Sequence, residues 1–351
     1  MDGYAGRDGP SRGIHDDLFA RTLYFSDERD SFAIISCDLC WISQQLVSST
    51  QNILSQKGAE ASQLMFCATH THSGPAVVDL LSPLNDKNLS YLRELPKHIA
   101  DSVIDAQYEA RPARIEVSRS EADLSFNRRI SNGQVDRSIT IISFVSADHE
   151  PIAKLVNYAC HGTVLGENNR FISADFPGSL TSLIESAESR NFACVYLNGA
   201  CGDVNPRTCR GYDCSGSFDD VASMGKALAA LCTSSKNSKW IGTGEGVNFR
   251  RLRIGPFPPL GMEIELSVAR VGELALVGVP GEVFAETGLA MKGNSQASQV
   301  LVVGYANGYQ GYFPTADAFT RGDYETSPLC WVDSSAESEL RRALALLELS
   351  D

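Results

Sequence analysis

His70-Thr71-His72 sets two imidazoles two residues apart, and Ser73-Gly74-Pro75 follows at once. The run before them, Leu64-Met65-Phe66-Cys67-Ala68-Thr69, is apolar enough for a buried strand. Alternate residues of a strand face the same way. Both rings are therefore expected to project together from a strand end, where Gly74 and Pro75 turn the chain away. Two neutral imidazoles in that position are what a zinc or iron site uses. A pair of surface histidines, or one core histidine beside an exposed one, would leave the same pattern.

Four more segments place reactive side chains just past an apolar run, where open α/β sheets build their sites. His161-Gly162-Thr163 follows a strand pattern over residues 151–160. Taken alone, His161 reads as a hydrogen-bonded loop histidine rather than a ligand. Asn198-Gly199-Ala200-Cys201-Gly202-Asp203-Val204-Asn205-Pro206-Arg207 has glycines that could turn backbone N–H groups toward a ligand or simply make a tight turn. Glu282, in Val279-Pro280-Gly281-Glu282, stands before a helix start, where a carboxylate also favours the helix N-terminus. Residues 304–315, Gly304 to Thr315, form a glycine- and tyrosine-rich loop of the kind that lines a site.

The elements that must hold these segments alternate between strand and helix. Strands are expected over residues 32–42, 64–70, 113–120, 138–146, 151–160, 192–197, 243–252, 262–271, 274–279 and 299–306. Helices are expected over 43–57, 89–108, 176–189, 218–232 and 283–292. Ser43 is placed to cap the first helix and Gly58 to stop it. Ser334-x-x-Glu337 reads as a capping box opening a last helix, with Leu340, Leu344 and Leu347 inward. The mixture predicts an α/β fold of mixed β-sheets covered by α-helices. Residues 234–238 are the one weak boundary, so we expect a single domain over 1–351.

The chain has 351 residues, 43% hydrophobic and 21% charged, with a formal net charge of −13. That balance offers no basic surplus for nucleic acid and disfavours docking on anionic membranes. No run nears the ~18 apolar residues of a membrane span, and the first residues lack the apolar core of a signal peptide. A cytoplasmic protein with no stable membrane association follows as the expectation, with homo-oligomers left open. Cys37, Cys67, Cys160 and Cys194 fall within apolar strands and read as small buried hydrophobes. Cys37-x-x-Cys40 lies in a strand pattern, which argues against redox chemistry. Cys209 and Cys214 flank a polar loop and suit a disulfide or an opportunistic metal.

Taken in order, these segments resemble the catalytic domain of the neutral/alkaline, non-lysosomal ceramidase family. Gly3-Tyr4, Thr69-His70-Thr71-His72-Ser73-Gly74-Pro75, His161-Gly162, Gly202-Asp203-Val204, Pro280-Gly281-Glu282, Tyr309-x-x-Tyr312 and Tyr324-Glu325 carry the resemblance, which spans nearly the whole chain. It implies zinc-dependent amide hydrolysis. The zinc (Zn2+) ligands would be His70, His161, Glu282 and Tyr312. His72 would carry the proton, Arg128 would stabilise negative charge, and Tyr324 would hydrogen-bond the oxyanion. Whether a second metal joins at Asp38 is left open by the sequence.

The departures shape the expected substrate. Asn205 stands where the family's Gly-Asp-Val-Ser-Pro has its serine, and an asparagine cannot accept an acyl group. Ser173-Ala174-Asp175-Phe176-Pro177 replaces the family's Ser-Asp-Asn-Lys segment. The family's immunoglobulin-like C-terminal domain and secretion signal are not expected here. The leading expectation is a zinc-dependent amidohydrolase that cleaves a small soluble amide by metal-activated water, with Asn205 hydrogen-bonding substrate. The alternatives are a true ceramidase acting on an N-acyl sphingoid lipid, an amide-forming acyltransferase, and a non-catalytic metal-binding protein.

Overall fold

The computed structural model describes residues 1–59, 63–81, 84–188, 191–234, 239–242, 246–295 and 297–348. Three mixed sheets form its centre. In the first, Ala20–Ser26 pairs antiparallel with Ser31–Cys37, which pairs parallel with Leu64–Ala68. The second runs in the order Ala193–Asn198, Pro151–Tyr158, Ser138–Val145, Arg114–Glu121, Lys239–Gly242, and only its first pair is parallel. The third runs Val247–Phe257, Met262–Val271, Leu274–Gly278, Gln299–Val303, and only its last pair is parallel.

The sheets share one inner core. Phe32, Ile34, Met65, Leu155, Val195, Leu197, Leu276 and Leu301 meet there, almost wholly shielded from water. Helices cover the outer faces. Gln44–Gln56 and Asp86–Tyr108 pack on the first sheet, Asp175–Ser186 and Phe218–Ser234 on the second, and Ala285–Asn294 and Ser335–Glu348 on the third. Strands buried on both faces read as the continuous apolar runs that the sequence contains. The expected mixed sheets under helices are what the chain forms.

Most element ends fall within three residues of expectation. Ser43 caps its helix by accepting from the Leu46 N–H, and Gly58 follows the helix with a left-handed backbone. The strand expected to reach Ile42 ends at Cys37, and the one expected to reach His70 ends at Ala68. Residues 243–245 and 235–238 lie outside the described residues, as do the side chains of Leu344 and Leu347. Leu340 is buried as expected. The capping box at Ser334 does not form as drawn. Asp333 accepts from the Ser335 N–H, and Glu337 instead accepts from the Ala316 N–H, at the start of the short helix Ala316–Arg321.

Buried asparagines tie the sheets together where a purely apolar contact would leave register free. Asn157 donates to the carbonyls of Leu197 and Val302, so it joins the second sheet to the third. Asn307 accepts from the Phe66 N–H and donates to Leu64 O and Ser267 Oγ, so it joins the third to the first. Each amide is fully buried or nearly so, and its unmade bonds would cost far more than the made ones return. The result is that the parallel pairs of all three sheets deliver their C-terminal ends to one place.

Two of those ends touch directly. His72 N–H donates to Gly162 O, and Thr71 bridges Gly162. A Cβ on Gly162 would stand 2.6 Å from His70 O and 3.0 Å from Thr71 Cα, both backbone atoms with little room to move. Gly162→Ala should therefore destabilise the fold by about 1–3 kcal/mol, the usual range for overpacking. Denaturant unfolding checks it; an unchanged midpoint would show that the two loops are not in contact.

Candidate metal centre

Each histidine of the centre is aimed by its own ring hydrogen bond. His70 Nδ1 donates to Cys40 O at 2.7 Å, and His161 Nδ1 donates to Val204 O at 3.1 Å. A carbonyl only accepts, so in both rings Nδ1 carries the proton and Nε2 is left as a bare lone pair. Both Nε2 atoms then face the Glu282 carboxylate. Oε2 lies 3.1 Å from His161 Nε2 and 3.7 Å from His70 Nε2. All three side chains are essentially sealed from water, and their donor atoms lie within 4.8 Å of one another.

That geometry decides what the site can hold. Three acceptors converge in a buried space, eased by the Arg128 guanidinium 3.3 Å from His161 Nε2, the His72 ring 3.0 Å from His70 Nε2 and the Tyr305 hydroxyl 3.4 Å from Glu282 Oε2, and a cation seated among them would favour the arrangement further. Burial lowers both histidines, His70 to about 3 and His161 well below its ordinary value, with Arg128 adding to the push on His161. Neutral imidazoles and a carboxylate are the donor set of catalytic zinc. The residues present fit the ion that the sequence implies.

Glu282 and Tyr312 arrive together because Glu282–Val283 and Tyr312–Phe313 form a two-stranded parallel ladder, with Glu282 opposite Tyr312. Gly202 lets a third segment approach the same ladder, donating its N–H to Val283 O. Burial, and then Glu282, push the Tyr312 phenol well up, while Arg128 pulls it down. Arg128 Nη2 donates to Tyr312 OH at 3.1 Å.

His70 does not follow strand alternation. Its φ is +64°, a left-handed backbone just past the strand end. The kink brings His72 Nε2 to 3.0 Å from His70 Nε2. The two rings do share a site, by a turn rather than by pleat. Among the described residues His72 Nδ1 is buried without a partner, and because His70 Nε2 is an acceptor, the 3.0 Å contact puts the proton of the neutral His72 ring on Nε2. Burial holds His72 well below its ordinary value, and His70 and His161 add to this.

Arg128 lies against the candidate ligands. It donates through Nε to Glu325 Oε1 at 2.9 Å, through Nη1 to Asn205 Oδ1 at 3.1 Å, and through Nη2 to Gly202 O at 2.9 Å. Nη1 also stands 3.3 Å from His161 Nε2. Burial alone would lower Arg128, but Tyr312, Glu325 and Glu282 keep it charged. Tyr324 sits at the rim, 44% exposed, its ring 5.8 Å from that of Tyr312. Burial and then Glu282 raise its phenol to about 12, so the hydroxyl remains a donor at neutral pH.

Asp38 stands apart. Phe19 N–H and Arg21 Nη1 hold its carboxylate, and among the described residues no cluster of metal-binding side chains includes it. Cys209 and Cys214 are joined by a disulfide, a bond typical of oxidising compartments. Cys37 and Cys40 are free and buried. Among the described residues no helix is long and apolar enough to cross a membrane.

Several supporting residues fell inside motifs or loops already noted in the sequence, but with no role assigned to them. Tyr309 OH donates to Glu282 Oε1 at 2.7 Å, and Tyr305 stacks on His70 with ring centroids 3.9 Å apart. Asn198 donates to Thr69 O and Cys160 O, so one side chain steadies both histidine loops. Asp203 accepts from the Arg128 backbone through its carbonyl and from Ala285 N–H through its carboxylate. It thereby fixes Arg128 and the helix that follows Glu282.

Comparison with known proteins bears on the family and the fold. A family model described as neutral/alkaline non-lysosomal ceramidase, N-terminal, matches residues 1–255. Neutral ceramidase A of Dictyostelium discoideum is 26% identical over 245 residues, 61% of this chain and 34% of that protein. The neutral ceramidase of Pseudomonas aeruginosa is 20% identical over 440 residues, 93% of this chain and 66% of that protein. The chain spans about a third of the length of several of the curated relatives it matches. Among solved structures, a ceramidase complexed with C2 has a TM-score of 0.85 at 19% identity, covering 99% of this chain and 72% of that one. The neutral ceramidase from Pseudomonas aeruginosa has a TM-score of 0.82 at 20% identity. At such identities these two establish the fold.

The bond from Tyr309 leads to a direct test. Partners that orient a metal-binding carboxylate are typically worth about 10–100-fold in metal affinity. Tyr309→Phe should weaken zinc binding by about that factor with little loss of thermal stability. Competition with a chromogenic chelator measures it, and wild-type affinity in the variant would remove Tyr309 from the account.

Proposed function

The chain belongs to the neutral/alkaline non-lysosomal ceramidase family, and from the chemistry of its own site we propose that it hydrolyses an amide bond with the help of a zinc ion. His70, His161, Glu282 and Tyr312 would hold the ion. Bound there, zinc supplies carbonyl polarisation and an acidified water at neutral pH. The observation that carries the reading is the dry convergence of two Nε2 lone pairs on the Glu282 carboxylate, with chemistry-bearing side chains around it.

The chain's residues then divide the remaining work. His72 borders the ligands through Nε2 and keeps an unpartnered Nδ1. It is the group placed to take a proton from the attacking water and return it to the leaving amine. Tyr324 offers a hydroxyl from the rim toward the carbonyl oxygen as that oxygen gains charge. Arg128 has committed its N–H groups to Glu325, Asn205, Gly202 and Tyr312. It contributes a fixed positive charge rather than a free donor. A purely structural ion would have no use for this surrounding set, which speaks against the non-catalytic reading.

Asn205 favours water over an acyl-enzyme as the route, since its amide is spent on Arg128, Gly211 and Cys214. The substrate is read first as the amide of a small soluble molecule. The names of the relatives favour a second reading, an N-acyl sphingoid lipid. Turnover of short-chain fluorogenic amides against fluorescent ceramide in detergent separates the two. Amide formation from free acid and amine is scored in the same assay. The cytoplasmic setting rests on the sequence alone, and the Cys209–Cys214 disulfide argues for an oxidising compartment instead.

The roles are testable at matched zinc content. His72→Ala should lower kcat by about 10²–10⁴-fold, and Tyr324→Phe by about 10²–10³-fold. Wild-type turnover in both variants would sink the mechanism while leaving the metal site standing.

A further inference from the structure

Asn205 and the disulfide lie on one connected feature. Arg210 and Asp213 exchange two backbone hydrogen bonds, so residues 210–213 form a tight hairpin with Gly211 and Tyr212 at its tip. Cys209 and Cys214 close its base through the disulfide, and both are buried. Asn205 Nδ2 donates to Gly211 O at 2.9 Å and reaches Cys214 Sγ at 3.6 Å. Its Oδ1 faces the other way, accepting from Arg128 Nη1. Tyr212 completes a second path. Its hydroxyl donates to Glu325 Oε2 at 3.0 Å, while Glu325 Oε1 accepts from Arg128 Nε. The Arg128 guanidinium carbon lies 5.1 Å from the centre of the Tyr212 ring.

We propose that the disulfide-closed hairpin of residues 209–214 is a clamp that positions Arg128, with Asn205 and Tyr212 as its two arms. The proposal rests on the hydrolytic reading for its kinetic consequence, though not for its geometry. Asn205 is then a positioning residue: the place where an acyl acceptor would stand is used to brace a charge. A serine is too short to span from the guanidinium to the hairpin backbone, whereas an amide has an acceptor for one and a donor for the other. The disulfide matters because an open six-residue loop would hold neither arm at a fixed distance. Tyr212 is 48% exposed, so the clamp also contributes an aromatic face to the rim on the side of Arg128.

Three variants of the full chain test this: Asn205→Ala, Tyr212→Phe, and the double change C209S/C214S. Tyr212 is half exposed, so its change to phenylalanine leaves folding intact even if the cysteine pair proves too costly to remove. Each should cut kcat by about 10-fold or more, with KM nearly unchanged, because a displaced catalytic charge affects the transition state more than binding. Zinc content should stay at the wild-type level. The losses should not add, since Asn205→Ala in the C209S/C214S background removes an arm already released. Hydrogen exchange gives a readout without turnover. Strand Ser125–Asn127 pairs with Val204–Pro206, Asn205 standing opposite Phe126, so residues 125–129 should exchange faster in the opened hairpin. Additive losses in kcat, or unchanged exchange at residues 125–129, would overturn the clamp. Faster exchange in a protein that cleaves no amide keeps the clamp and removes the hydrolytic reading instead.

Discussion

Two imidazole lone pairs and a carboxylate buried against one another are the constraint on which this structure depends. His70 and His161 spend their only ring protons on backbone carbonyls, so neither can relieve the approach of Glu282. An isolated chain would separate such groups or protonate them. Here the fold holds them in place from every side: Tyr309 on the carboxylate, Tyr305 stacked on one imidazole, and Asn198 bonded to both histidine loops. A bound cation would supply the charge that makes the arrangement favourable, and the free energy of its binding would then be partly folding free energy.

The sheets are arranged to serve that point. Each contains a single parallel pair, and the parallel pairs are the ones whose C-terminal ends carry chemistry. Parallel pairing needs both faces covered, which the outer helices and shared inner core provide. Backbone contacts then join one sheet's loops to another's. Ala68 N–H reaches Tyr305 O, Gly304 N–H reaches Asn198 O, and His72 N–H reaches Gly162 O. Distances between ligands are thus set by main-chain hydrogen bonds rather than by flexible side chains.

Much of this was legible in the sequence. Apolar runs marked the strands because they are buried on both faces, whereas His70, His161, Glu282 and Tyr312 came together as a ligand set only through the family resemblance. What was illegible is what depends on pairs distant in sequence. Nothing local announces that Asn307 will bond to Phe66 or that Asp203 will cap the helix at Ala285. The shared direction of His70 and His72 was expected from strand alternation, but the strand stops two residues earlier and a left-handed residue turns the ring inward. The expected direct contact of Asn205 with substrate gives way, in the structure, to bonds with Arg128 and the hairpin. Ser334 and Glu337 matched a capping spacing, yet Glu337 serves another helix, a choice made by tertiary packing.

The central claim is that the buried donors of His70, His161, Glu282 and Tyr312 exist to hold one zinc ion. Crystallographic anomalous scattering, recorded on either side of the zinc edge, addresses it most directly. The account predicts one strong peak per chain in the difference between the two data sets, within bonding distance of His70 Nε2, His161 Nε2, a Glu282 carboxylate oxygen and the Tyr312 phenolic oxygen. A protein saturated with zinc that shows no peak there, or one bound elsewhere with these four side chains unmoved and unligated, would contradict it.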